Sequence, residues 1–272
     1  MIISRLLNRI QLEGEKIILP IKADEILENK KAQKLAKKIR KFFHKTRSKK
    51  VIISEKIQEQ EELMNEFYTM DLEIIEGKWL FEVLACDALE YLLAKKEMKK
   101  EETKVSILVN DLSQNMLANL RKIAKEYKAV SIVTNHREKF KKLEKQILEE
   151  DGIMINVGNN KRKGIAKEEV ILNVDFPSEL VNQYTIYENA ILINLKNNVK
   201  VTKKRFNGIT INDYEIEIRK EESFDYDKKT KYKTGKVYEA QINKKQPFQE
   251  IRKQIEKDGV EIVKLRGKNI II

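Results

Sequence analysis

The stretch Lys104-Val-Ser-Ile-Leu-Val-Asn110 decides the fold, together with three others of its kind: Val130-Ser-Ile-Val133, Val170-Ile-Leu-Asn-Val174 and Ala190-Ile-Leu-Ile-Asn-Leu195. Each is the length of a strand buried on both faces. Helix-period segments lie between the first two runs and before the last, so the pattern predicts an α/β protein built on a parallel sheet.

Reading outward, the strand from Lys104 leads through Asn110, Asp111, Leu112 and Ser113 into a helix ending near Lys128. Leu117, Leu120, Ile123 and Ala124 of that helix face the sheet, and Ser113 is its N-cap. A strand over 130–134, a helix over 137–150, a strand over 153–157, the loop 158–163, the strand 170–174, a turn at Pro177, a helix from Ser178 and the strand 190–195 follow. The strand C-termini then share one edge, where sheets of this kind place ligands.

The flanks are organised differently. Residues 1–78 read as a small N-terminal α/β lobe: a strand over 16–21 closed by Pro20, a helix from Lys30 to about Phe43, a strand over 51–53, an amphipathic helix over 55–68 and a strand over 72–75 ended by Gly77. The first of those helices has one buried stripe, Ala32, Leu35, Ala36, Ile39 and Phe42 or Phe43, and its other faces are nearly all lysine. Residues 79–103 read as an interlobe helix, too broadly apolar for an open surface, and its charged exit. The sheet domain occupies 104–199. Residues 200–272 form a C-terminal α+β extension, with strands over 209–218 and 237–242, a polar mobile loop over 220–235, a helix over 247–257 and closing strands over 260–265 and 270–272.

A length of 272 residues suits about two domains. No run approaches the roughly 18 uncharged apolar residues of a membrane span, and the N-terminus has no signal-peptide core, so a cytoplasmic protein without membrane contact is expected. The single cysteine, Cys86, has no partner for an internal disulfide. With only His44 and His136 beside it, no metal site is expected.

The formal charge is +12, unevenly spread: residues 22–50 carry +9, residues 51–195 carry −6 and residues 196–272 carry +8. Basic ends can steer a polyanion such as RNA, and Phe206, Tyr226, Tyr232 and Tyr238 lie among cations as base-stacking groups would. Solvated lysine-rich surfaces, in a chain rich in Lys, Glu, Ile and Asn throughout, are the other reading.

The order of elements resembles the nucleotide-binding domain of shikimate dehydrogenase, glutamyl-tRNA reductase and the related amino-acid dehydrogenases. Residues 104–110 sit where that family has its first strand. Ser-Ile-Val-Thr-Asn-His-Arg-Glu-Lys-Phe-Lys-Lys-Leu at 131–143 is similar to its second strand and turn, and residues 169–180 and 190–195 to the strands that follow. The resemblance covers about a third of the chain. It implies a Rossmann-like fold, a small-molecule or nucleotide ligand, and a cofactor site on Asn110, Asp111, Leu112, Ser113, Asn135, His136, Arg137 and Asn173.

Two departures bear on that site. The three glycines of the dinucleotide fingerprint fall near Asn110, Leu112 and Asn115, and a leucine at the second stands where a pyrophosphate should lie. At the end of the second strand no Asp or Glu is present for the ribose, so a bound dinucleotide would be NADP, held by Arg137; alternatively Asn135 caps the next helix and Arg137 is solvated. The catalytic motifs of the resembled enzymes are missing. Cys86 reads as a core thiol with a raised pKa, so no catalytic residue is assigned.

The loop Gly158-Asn-Asn-Lys-Arg-Lys-Gly164 has a composition suited to phosphate, through Asn159, Asn160, Lys161, Arg162 and Lys163, or is an exposed turn; it does not have the phosphate-binding-loop spacing. Three functions remain open: a Rossmann-like protein with a degenerate cofactor site and a non-catalytic ligand-sensing or scaffold role, an active NAD(P)-dependent oxidoreductase with an atypical loop, and an RNA- or polyanion-binding module. Oligomeric state is not written in these residues.

Overall fold

The computed structural model describes residues 11–13, 16–19, 21, 25–46, 49–219, 234–267 and 270–272, which fall into two compact units spanning residues 1–76 and 77–272. Pro20, most of the polar segment 220–235, Tyr226 and Tyr232 lie outside the described residues.

In the first unit β1 (Gln11–Glu13) pairs antiparallel with β2 (Lys16–Ile18), and β3 (Lys50–Ile52) pairs parallel with β4 (Glu73–Ile75). Helix α1 (Asn29–Thr46) buries Ala32, Leu35, Ala36, Ile39 and Phe43 against Leu63, Met64 and Phe67. The amphipathic helix expected over 55–68 is two helices, α2 (Glu55–Gln58) and α3 (Glu61–Tyr68). Between them the Gln60 side chain accepts from the Leu27 N–H (2.9 Å) and donates to the Glu25 carbonyl (2.9 Å), which holds residue 60 at the junction.

The second unit opens with α4 (Lys78–Val83) and α5 (Ala85–Lys95) where one helix was expected. The Asn119 amide donates to the carbonyls of Glu82 (2.8 Å) and Val83 (3.3 Å), so these bond to a side chain at the break. Next come β5 (Lys104–Leu108), α6 (Gln114–Glu126), β6 (Ala129–Val133), α7 (Arg137–Asp151), β7 (Asn156–Gly158), β8 (Val170–Asn173), the four-residue α8 (Ser178–Val181), β9 (Ile191–Asn194) and β10 (Ile209–Ile218). The unit closes with α9 (Thr234–Gln241), α10 (Phe248–Asp258) and β11 (Val260–Gly267).

The sheet has seven strands in the order β11-β10-β9-β8-β5-β6-β7. Strands β5 to β10 are parallel and β11 pairs antiparallel with β10. Numbered from β5, the parallel strands run 3-2-1-4-5-6, the order of a Rossmann-type sheet, with one antiparallel strand added at the edge. The chain therefore has a mostly parallel, Rossmann-like α/β fold, and the strands of 209–218 and 260–267 belong to the same sheet.

Alternate residues of each central strand enter different cores. Val105, Ile107, Val170, Leu172, Ile191 and Ile193 join the helices, including Phe81, Leu120, Phe140 and Ile251; Leu108, Ile171 and Leu192 join Phe176, Val181 and Tyr184 on the other side. Both faces are apolar because both are covered. The cover is unequal, since in the second half of the sheet the crossovers contain only α8 and irregular chain.

Residues 237–242, expected as a strand, belong mainly to helix α9. Its buried positions are Gly235, Tyr238 and Glu239, with Ile242 just beyond, a helical spacing that includes a glycine and a carboxylate. A Cβ on Gly235 would come within 3.3 Å of the Tyr214 hydroxyl, a tight contact that the tyrosine would have to relieve by shifting a few tenths of an ångström.

Candidate functional site at the carboxyl edge of the sheet

Strand order reverses between β5 and β8, and the crevice outside their carboxyl ends is where this fold places ligands. The loop after β5 presents the N–H groups of Asn110 and Asp111 there. Both are taken by one side chain: Asp175, in the loop after β8, accepts from Asn110 N (2.8 Å) on one carboxylate oxygen and from Asp111 N (2.7 Å) on the other. An internal carboxylate thus occupies a pair of donors in the loop where a bound phosphate would be sought.

The neighbouring strand ends are closed in the same way. Asn110 Oδ1 accepts from Asn135 N (2.9 Å), Asn135 Oδ1 accepts from the Asn159 amide (3.3 Å), and Tyr184 donates its hydroxyl to Asn159. Across the switch point the Asn173 amide donates to Asn194 Oδ1 (2.8 Å) and to the Phe176 carbonyl (2.9 Å), while Asn173 Oδ1 accepts from Phe176 N (2.9 Å). The Asn194 amide donates to the Ile211 carbonyl (3.0 Å) and to Asn212 Oδ1 (2.9 Å). Six asparagines, at or just past the carboxyl ends of five strands and within the sixth, satisfy one another and the nearby backbone. Asn173 and Asn194 are buried, so their amides need these partners.

Below the loop lies a charged group that the sequence reading did not identify. Glu82, buried, accepts from the Ser113 hydroxyl and pairs with Lys196 Nζ (2.9 Å), which follows β9. Ser113 caps α6 as expected, its Oγ accepting from Met116 N (3.0 Å). Leu112 is half-buried and packs against the helix-side core, so its side chain does not stand, as expected, in the space of a pyrophosphate; the group that meets the loop N–H donors is Asp175. Asp111 is exposed, and Lys139 at 2.8 Å holds its carboxyl below the usual range by hydrogen bonding and charge.

Asn135, His136 and Arg137 are exposed at the end of β6. The N-cap of α7 is His136, with no side-chain cap bond, so Asn135 does not cap that helix; its side-chain oxygen is engaged by Asn159. In the loop after β7, Asn160 Oδ1 accepts from the N–H groups of Arg162 and Lys163 (3.0 Å each), and Lys161 bonds Gln183 (2.5 Å). Gly164 lets the chain close on itself, since a Cβ there would meet the Asn160 carbonyl at 2.7 Å. Asn159, Asn160, Lys161, Arg162 and Lys163 are all exposed, but the N–H groups of residues 162 and 163 are used inside the turn.

Cys86 is buried, and burial pushes its thiol up to about 12, as a core cysteine requires. Among the described residues no group of three or more His, Cys, Asp or Glu side chains is placed to hold a metal ion, and no helix is long and apolar enough to cross a membrane.

No protein-family model matches the chain, and no curated protein matches it. Among solved structures, it is similar to L-tryptophan dehydrogenase from Nostoc punctiforme, at 7% identity, covering 72% of this chain and 57% of that one with a TM-score of 0.36. It is also similar to ornithine carbamoyltransferase from Pyrococcus furiosus, at 10% identity, covering 68% and 62% with a TM-score of 0.30. The chain spans less than two thirds of the length of either protein. At this level neither likeness bears on a substrate, and the fold rests on the strand order above.

Proposed function

We propose that this is a Rossmann-like protein that acts by binding, as a ligand sensor or scaffold, and that its dinucleotide crevice is occupied by its own Asp175 carboxylate. The observation that carries this reading is the pair of hydrogen bonds from Asn110 and Asp111 to Asp175. A pyrophosphate entering there must displace a carboxylate held by two charge-assisted bonds and would meet its repulsion. Two further features support the reading. The loop has Asn110 and Asn115 where the dinucleotide fingerprint has glycines, and among the described residues the parallel crossovers of the second half of the sheet contain one helix, the four-residue α8.

In this reading Asn110, Asp111, Ser113, Asn135 and Asn173 hold the strand ends together, and Arg137, Arg162 and Lys163 are the exposed cations left on the same edge for a small anionic ligand. Isothermal titration of the full chain with NAD, NADP and their reduced forms tests it. No heat of binding is expected at micromolar protein. Tight dinucleotide binding refutes the occupied crevice, and hydride transfer to any tested carbonyl acceptor refutes the non-catalytic role and makes the chain an oxidoreductase.

A further inference from the structure

Helix α1 carries Lys30, Lys31, Lys34, Lys37, Lys38, Arg40, Lys41 and Lys45 and no acidic residue. At 3.6 residues per turn, Lys34, Lys38, Lys41 and Lys45 fall within a sector of about 60° over a rise of about 16 Å, with Lys30 and Lys37 beside them. This row lies opposite the buried stripe of Ala32, Leu35, Ala36, Ile39 and Phe43. All six of these lysines are exposed, and none makes an ion pair or hydrogen bond with a described residue; Lys31 pairs with Glu25 and Arg40 bonds Thr69.

Helix stability alone does not select this arrangement. Like charges at i,i+4 repel, at 30/34, 34/38, 37/41 and 41/45, and Lys30 and Lys31 in the first turn oppose the helix dipole, with Glu25 paired to Lys31. The repulsion is relieved when a row of negative charges lies along the helix.

The structure narrows the partner. Membrane insertion needs a free apolar face, and that of α1 is buried in the core of its unit. Binding of single strands relies on exposed aromatic platforms, and the lysine row contains none. The row is lysine alone, point charges on flexible stems without the planar fork or amide that reads a base edge bidentately, so its contacts are assigned to phosphates, and the groove of B-form DNA admits an α-helix. We propose that the lysine row of α1 is a docking surface for double-stranded DNA, binding the phosphate backbone without reading sequence.

Fluorescence anisotropy of the full chain with a labelled duplex of about 20 base pairs, at several salt concentrations, tests this. Four phosphate contacts predict a log–log salt slope of about −3.6, or about 150-fold weaker binding between about 50 and about 200 mM salt. The combined variant Lys34→Gln, Lys38→Gln, Lys41→Gln, Lys45→Gln should lose that slope while melting no lower than the parent, and two unrelated duplex sequences should bind alike. Should the combined variant misfold, Lys38→Gln and Lys41→Gln singly should each reduce the slope by about 0.9. The proposal is overturned by absence of binding at the lowest salt, by variants whose affinity and slope match the parent, or by tighter binding to single-stranded DNA or duplex RNA. It is equally overturned if vesicles of anionic lipid capture the protein through these lysines while the duplex does not.

Discussion

Replacing Asp175 by alanine removes the acceptor of two backbone N–H groups, Asn110 at 2.8 Å and Asp111 at 2.7 Å, in a loop that leads directly into helix α6. Hydrogen bonds to a charged group contribute about 1.5–3 kcal/mol each when buried. Asp175 is half-buried and Asp111 exposed, so water can refill part of what is lost. The expected net loss is about 2 kcal/mol for the pair. Asp175→Asn should be no better, because its amide keeps one acceptor and turns a donor toward the second N–H. Urea unfolding followed by the fluorescence of Trp79, the single tryptophan and a residue of the same unit, measures both variants. The decisive arm is rescue: inorganic phosphate should stabilise Asp175→Ala by about 1.4 kcal/mol at tenfold its dissociation constant and leave the wild type unchanged beyond a general salt effect. A variant within about 0.5 kcal/mol of wild type, with the same phosphate response, refutes the view that Asp175 fills an anion position.

Asn194→Ala should cost about 2–4 kcal/mol in the same urea assay, because it strands the Ile211 carbonyl and one bond each of Asn173 and Asn212 in a buried setting; a loss below about 1 kcal/mol would show that the asparagine chain is dispensable. For Cys86, the folded thiol stays neutral up to about 12, whereas in the unfolded chain it ionises near its ordinary value. Its contribution is therefore complete below that ordinary value and is lost progressively between it and about 12. Wild type and Cys86→Ser should have parallel stability profiles up to about pH 8, above which the wild type falls by an additional amount of about 1.4 kcal/mol per pH unit. Parallel profiles up to pH 11 would contradict this assignment.

The four central strands were legible because burial on both faces leaves mostly apolar residues, and such runs need no partner to be recognised. The Ser113 cap was equally local, a side chain bonding an N–H three residues on. Helix α9 was not, since its buried face consists of Gly235, Tyr238 and Glu239, and a buried glutamate is readable only with its partners, Leu80 N at 3.0 Å and Lys244 at 2.8 Å. The break at Leu84 has a similar origin, because the Asn119 amide that bonds the carbonyls there comes from another helix.

At the crevice, residues 110–113 were singled out from the sequence for the glycines they lack. Asp175 was not, although it directly follows a strand, 170–174, that was. Local sequence determined which segments are strands, which helix face is buried and which face of α1 carries lysine, because periodicity and capping act within a few residues. Tertiary structure alone decided the strand order, and with it the meeting of Asp175 with an N–H 65 positions away. The physical reason is that an unpaired backbone donor must find an acceptor when the chain folds, but nothing in its own neighbourhood specifies which strand will deliver one.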